Sequence, residues 1–574
     1  MAFPQFGRAL IRERNWSALV DVAVFAAILA GICGALATVH YWMGVITPAA
    51  HISRSAAALP LYAFYSLVRM GAAYVLSLAF AIGYGYIAAH NRRVEMAMIA
   101  VLDILQSIPV LSFLPGVMLS MVALFPTRQL GVELGSIILI FTGQVWNMAF
   151  SFYSSLKAIP RDLREATLIN GFSATQRFVE LELPFGTIGL VWNSIVSVAG
   201  GWFFLMACEM FVLGKHDFRL PGLGSYLQTA ASAGDTAGIL WGLAAMIAVI
   251  VLLDQLLWRP AIAWSEKFKM EQVESAAEVT SPILQLLRNS DVSHWIERRA
   301  IDPLWERLTV SPLRDAPVKA ARGTHRGRIV GAAALIALAV AVPYLLVKAA
   351  LTLYGLHGAE LVMTLEAAAA SFGRVSASLV IASLWAIPVG VAIGFNPRLA
   401  KVAQPLAQIA ASVPATALFP VVLLGLVQLG GGLGVGSIVL MLLGTQWYIL
   451  FNVIAGAMAI PTELREAASV FHFTRWQRWR TLILPGIFPY LVTGLVTASG
   501  GAWNASIVAE YFHFQGRIMT TLGLGAQISS ATDSGNGQLL LLSTVVMATL
   551  VVCVNRLVWR PMYRLARTRY ALDS

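Results

Sequence analysis

The chain has 574 residues, of which 58% are hydrophobic and 12% charged, with a net charge of +11 and a mean hydropathy of +0.73. Soluble domains carry about 25% charged residues, so a soluble globular protein is excluded and a polytopic membrane protein is expected. The basic excess is read as the positive-inside bias of loops beside membrane spans, so no nucleic-acid partner is expected, and membrane lipid is.

Arg8, Arg12 and Arg14 precede a first apolar run near Val20–Thr38, and no small-residue cleavage site follows soon after it. A bilayer crossing takes about 20 residues. On that measure the first half holds six spans, near 20–39, 63–89, 97–125, 133–156, 186–208 and 236–257. Residues 261–326 form a charged linker containing Trp295 and Trp305. It is read either as amphipathic helix on the membrane surface or as a solvated connector. Six further spans follow near 329–347, 366–394, 401–427, 434–459, 487–509 and 536–558. No Asp, Glu, Lys or Arg occurs from Val402 to Thr462, where Gly430-Gly431-Gly432 is the turn between two spans. The expected fold is therefore all-α and polytopic, with about 12 transmembrane helices. Its domains are 1–260, the linker 261–326, and 327–574.

By parity, the N-terminus, Arg92-Arg93, the Lys157–Arg177 loop and Arg259–Lys269 fall on one side, as do Arg398, Lys401, Arg465–Arg480 and Arg560–Arg569. That side is expected to be cytoplasmic, with both termini on it. Six spans per copy make the copies parallel, which disfavours an inverted repeat. Cys33, Cys208 and Cys553 lie in apolar runs without ligand spacing, so no metal site is expected.

The copies are visible as an internal repeat. Pro160-Arg161-Asp162-Leu163-Arg164-Glu165-Ala166 recurs as Pro461-Thr462-Glu463-Leu464-Arg465-Glu466-Ala467, 301 positions later (466 − 165). The same offset relates Leu183-Pro184 to Leu484-Pro485, Trp202 to Trp503, Glu209 to Glu510, and Gly222-Leu223-Gly224 to Gly523-Leu524-Gly525. Upstream the offset is 305 (420 − 115), pairing Arg69 with Arg374, Ser107 with Ser412 and Pro115 with Pro420. The four-residue difference belongs in a loop near Phe125–Leu134.

The repeated loop reads as helix–turn–helix outside the membrane. Pro160 suits a first helical turn and Asp162 the positive helix end. Gly171 suits the exit, where positive φ is needed, and Ser173 caps a second short helix through Gln176 and Arg177. Thr474, Gln477 and Arg478 repeat that second helix.

This segment resembles the signature loop of permease subunits of ATP-binding-cassette importers. Glu165-Ala166-Thr167, Gly171, Leu181 and Leu183-Pro184 carry the resemblance in the first copy. Glu466-Ala467-Ala468, Leu482 and Leu484-Pro485 carry it in the second, with His472 where glycine is expected. Glu209 and Glu510, each followed by Gly-Leu-Gly, look like the nitrate/taurine/sulfonate type. The resemblance implies two fused type I importer permease domains in a bacterial cytoplasmic (inner) membrane. It implies that Arg164, Glu165, Ala166, Gly171, Leu183 and Pro184, with Arg465, Glu466, Ala467, Ala468, His472, Leu484 and Pro485, form ATPase-coupling loops. The implied partners are two copies of a cytosolic ATPase subunit and an extracytoplasmic solute-binding protein. ATP and magnesium belong to the ATPase; no G-x-x-x-x-G-K-[ST] loop is present here, so this chain is expected to bind no cofactor and to be no enzyme.

Polar residues within apolar spans face a bundle interior or a cavity. Ser107, Gln144, Trp146 and Trp202, with Ser412, Thr445, Trp447, Trp503 and Asn504, are therefore candidates for the translocation pathway. Interhelical hydrogen bonding is the competing reading. Glu209 and Glu510 are candidates for an outer gate or a structural pairing role, since a carboxylate repels an anion. The substrate expected is a small anion such as sulfonate, nitrate or bicarbonate. A secondary transporter or channel built from parallel repeats is the alternative, but it does not predict the Glu-Ala loop.

Overall fold

The computed structural model describes residues 52–268 and 358–569, apart from 214, 215, 429, 431, 515 and 516. It also describes 41–44, 282–288, 351–354 and isolated positions before 40 and between 290 and 350. The first half contains α1 (Leu59–His90), α2 (Arg92–Ser107), α3 (Leu114–Leu124), α4 (Leu130–Ala158), α5 (Arg161–Ile169), α6 (Leu183–Glu209), α7 (Leu223–Ser232) and α8 (Thr236–Leu253). The second repeats that order as α9 (Gly358–Phe395), α10 (Pro397–Ser412), α11 (Ala415–Gln428), α12 (Leu433–Ala459), α13 (Thr462–Val470), α14 (Leu484–Ala509), α15 (Leu524–Ser534) and α16 (Gly537–Val554). Each element thus has its counterpart eight labels on.

Charge-free apolar sequence forms helices here because only internally hydrogen-bonded backbone is tolerated in lipid. Among the described residues, eight helices are long and apolar enough to cross a membrane. They are centred on α1, α4, α6 and α8 and on α9, α12, α14 and α16. The first expected span of each half, near 20–39 and 329–347, lies mostly outside the described residues, as does most of the 261–326 linker.

The third expected spans, 97–125 and 401–427, are not single helices. The first breaks between α2 and α3, where Pro109 is extended at φ −60° and ψ 118°. The second breaks between α10 and α11, where Val413 before Pro414 is extended at φ −76° and ψ 117°. Proline has no N–H to donate and its ring pushes the preceding residue out of the helical region. Two short helices replace each expected long one.

In each half the core is a row of three helices: α1 packs along α4 and α4 along α6, and α9, α12 and α14 repeat the arrangement. Short antiparallel hairpins follow α6 and α14. In the first, β1 (Val212–Leu213) pairs with β2 (His216–Asp217). In the second, β3 (Tyr511–Phe514) pairs with β4 (Arg517–Thr520), with Tyr511 opposite Thr520. The halves meet at the break after α2. There the Leu111 amide donates to Asn504 Oδ1 at 3.4 Å, and Thr544 Oγ1 donates to the Ser112 carbonyl at 3.3 Å.

Candidate functional site

The two repeated loops have the same backbone. Pro160 lies at φ −54° and ψ 144°, and Pro461 at φ −54° and ψ 143°, each delivering the chain into a nine-residue helix, α5 or α13. Asp162 and Glu463 stand in the first turns, where the helix dipole favours a carboxylate. Glu165 and Ala166 are exposed on α5, as is Glu466 on α13. Ala467 is half-buried, and Ala468 is buried. Thr167, where the second copy has Ala468, is buried too, and its hydroxyl donates to the Arg164 carbonyl at 2.7 Å. A threonine therefore replaces alanine there without leaving an unpaired polar group.

Arg164 donates to the Leu156 carbonyl at the end of α4. Its counterpart Arg465 sits 5.3 Å over the Phe395 ring and donates to Thr462 Oγ1 at 3.1 Å. Both arginines tie the loop helix to neighbouring groups by different chemistry.

Each loop helix ends in the same left-handed residue, Gly171 at φ 67° and His472 at φ 50°. The glycine expected in the second copy is absent, yet the turn is unchanged. The second short helices also agree: Ser173 with Gln176, and Thr474 with Gln477, each form a reciprocal capping box. A π-helical turn then leads to α6 or α14. Leu183-Pro184 and Leu484-Pro485 begin those helices directly after the π turns. Large apolar side chains stand exposed on the loops, with Ile169 85% exposed and Val470 73%.

At the other end of α6 Glu209, a candidate for an outer gate or a structural pairing role, stands in a charge cluster whose other members the sequence pattern left unassigned. Arg69 of α1 bonds Glu133 of α4 through Nε at 2.6 Å and Nη2 at 2.8 Å, and Glu209 through Nη1 at 2.9 Å. All three side chains are buried. Ser66 donates to Glu209 at 2.7 Å, and the Gly224 amide donates at 2.7 Å from the start of α7. The second copy repeats this with Arg374 to Glu510 at 3.0 Å, Ser371 at 2.7 Å and the Gly525 amide at 2.9 Å. Glu133 has no counterpart, because the offset falls on Gly434; Arg374 donates instead to Thr521 at 2.8 Å.

The Gly-Leu-Gly repeat follows from this packing. A Cβ on Gly222 would stand 2.2 Å from the Glu209 carboxylate, and one on Gly523 2.1 Å from that of Glu510. Only glycine lets the α7 and α15 amides close on a buried carboxylate. The available signal was an arginine inside an otherwise uncharged run, repeated as Arg69 and Arg374.

The remaining polar candidates are dispersed. Gln144 lies inside the first half, its amide 2.9 Å from Met70 Sδ, and Thr445 bonds its own helix at Met441. Trp202 and Trp503 are buried. The Trp146 Nε1 is buried without a partner, while Trp447 packs edge-on against Trp385 with centroids 6.4 Å apart. Asn504 stands where the halves meet. Ser107 and Ser412 close α2 and α10, and their side chains lie outside the described residues.

Residues 81–257 and 386–560 each match the family described as binding-protein-dependent transport system inner membrane component. The nitrate import permease protein NrtB of Leptolyngbya laminosa is 26% identical over 190 residues, covering 33% of this chain and 64% of the relative. The taurine transport system permease protein TauC of Escherichia coli (strain K12) is 30% identical over 166 residues, covering 29% and 56%. The bicarbonate transport system permease protein CmpB of Synechococcus elongatus is 30% identical over 141 residues, covering 25% and 49%. The chain thus spans about half the length of the curated relatives it matches.

Proposed function

The chain belongs to the binding-protein-dependent transport system inner membrane component family, matched twice, and on that premise we propose that it is two fused permease domains of an ATP-driven importer. The family is a transport component rather than an enzyme, and this member is a multi-pass membrane protein. The domains are 1–260 and 327–574, joined by the linker 261–326. The fold is the parallel two-repeat type I importer arrangement. ATP and magnesium are handled by a separate ATPase, one copy under each loop.

The observation that carries this reading is the pair of loop helices, α5 and α13. They enter at the same angles, turn in the same left-handed conformation, and present Glu165 and Glu466 with exposed Ile169 and Val470. Exposed apolar groups recurring at one place call for a partner surface, and two copies call for two partner subunits. Closure of an ATPase dimer would push α5 and α13 together. Each is continuous through its capped turn with α6 or α14, so the movement reaches the membrane helices. Both termini and both loops are cytoplasmic, and the hairpins β1–β2 and β3–β4 face outside, where a solute-binding protein delivers its cargo. The relatives' names include nitrate, taurine and bicarbonate, which supports a small anionic solute.

The test is purification of the tagged chain from its own cells, followed by reconstitution with whatever comes down. An ATPase subunit in the complex and uptake that requires ATP are expected. Solute flux through the chain alone, with no ATPase bound, makes it a channel or secondary transporter instead.

A further inference from the structure

Between the halves, at the hairpin end of the bundle, lies a cavity of about 260 Å³. It is below the roughly 300–1,000 Å³ of sites for drug-sized ligands, so it suits a small solute. Its walls differ. The first half contributes Arg219 and Gln228, and the second contributes Tyr511, Ser529 and Asp533. By the 301 offset, Arg219 corresponds to Thr520, Asp533 to Ser232 and Tyr511 to Met210. Two identical subunits would place the same groups on both walls. The fused chain places a guanidinium on one and a carboxylate on the other.

Arg219 is held by Asp217, its Nε 2.9 and 3.0 Å from the two carboxylate oxygens. Burial raises the Asp217 carboxyl, but the Arg219 hydrogen bonds outweigh it and hold the carboxyl below its usual range. The pair is therefore ionised at neutral pH. Arg219 Nη2 also donates to Asp217, while Nη1 makes a 3.5 Å contact with Thr229 Oγ1. On the opposite wall Tyr511 donates its hydroxyl to Asp533. Burial first, and then the Asp533 carboxylate, push the phenol upward, so it remains a donor. The cavity thus has the Arg219 guanidinium on one wall and the Asp533 carboxyl group on the other. A bare anion meets only the first of these groups, whereas a solute that also carries an ammonium group meets both.

We propose that this cavity binds a small zwitterionic solute, its anionic group on Arg219 Nη1 and its ammonium group on Asp533. That the cavity lies on a solute's route rests on the importer reading; its charge preference does not. The site replaces a bare anion by a net-neutral solute with one anionic group, an amino-sulfonate or amino-carboxylate, and disfavours nitrate and bicarbonate as its occupants.

Thermal unfolding of the purified full chain is followed in 2-aminoethanesulfonate, 3-aminopropanesulfonate and glycine. Each is set beside its analogue without the amino group: ethanesulfonate, propanesulfonate and acetate. At least one amino compound is expected to reach a given shift at tenfold lower concentration than its analogue. Asp533→Asn keeps an acceptor for Tyr511 and removes the charge, so it should abolish that advantage, while Asp533→Glu should retain it. If no amino compound outperforms its analogue, or if the advantage survives in Asp533→Asn, the proposal is wrong. ATPase co-purification, scored on the same preparations, reports separately on the importer reading.

Discussion

Arg69 in α1 and Glu209 at the end of α6 meet at 2.9 Å, and their counterparts Arg374 and Glu510 meet at 3.0 Å. The two pairs are not equivalent. Arg69 is 1% exposed and faces a second buried carboxylate, Glu133, whereas Arg374 is 15% exposed and has a threonine in that place.

Removing one partner of a buried ion pair costs about 3–5 kcal/mol, because the other charge is left unpaired. Arg69→Met strands two carboxylates and Arg374→Met one. Thermal unfolding in detergent should show the larger loss for Arg69→Met. An equal loss in the two variants removes the asymmetry.

Gly222→Ala and Gly523→Ala should each displace the α7 or α15 amides from the buried glutamate, since the new methyl would overlap its carboxylate. Glu209→Gln does not clear that space. The double variant Gly222→Ala with Glu209→Ala does, so it should recover part of the Gly222→Ala loss at the hairpin, measured as protease resistance of the outer loops.

His472 adopts φ 50° with a side chain, at a cost of about 1 kcal/mol relative to glycine. His472→Gly should leave uptake intact and raise the unfolding temperature. Gly171→Val should lower it by backbone strain alone, because nothing stands within 4 Å of a Cβ at Gly171. A stabilised Gly171→Val variant contradicts the turn geometry.

The loop was legible in the sequence because its determinants are local. Pro160, the Ser173–Gln176 capping box and the turn at Gly171 each act within a few residues. The breaks at Pro109 and Pro414 were legible as prolines but read as continuous spans, since hydropathy does not register a lost backbone donor. In the charge cluster, Glu209 and Glu510 were legible as candidates for pairing, but Glu133 was hidden. Arg69 and Arg374 align across the repeat, but Glu133 lies 64 residues from Arg69 and has no counterpart, so alignment of the copies could not expose it. Gln144 is a similar case: a mid-span amide looks alike whether it faces a pathway or packs against Met70 inside one half.

Orientation is open to direct labelling. Thr175 beside α5 and Ser534 at the end of α15 are both exposed. Single cysteines there, with Cys33, Cys208 and Cys553 replaced, should differ toward an impermeant thiol reagent added to whole cells. Ser534→Cys should label and Thr175→Cys should not. Ser225 is unsuitable as the outer probe because it is buried against Gly222. Labelling at Thr175 alone inverts the topology.

Charge reversal on both loop helices tests whether α5 and α13 couple an ATPase to transport. Glu165 and Glu466 are exposed and contribute nothing to the packed core, so Glu165→Lys with Glu466→Lys should insert and fold as the unaltered chain does. ATP-driven uptake by the reconstituted complex is the quantity to measure, with the amount of bound ATPase scored alongside. Loss of uptake is expected, together with loss of the bound ATPase or hydrolysis uncoupled from transport. Uptake at the unaltered rate in the double variant contradicts that coupling.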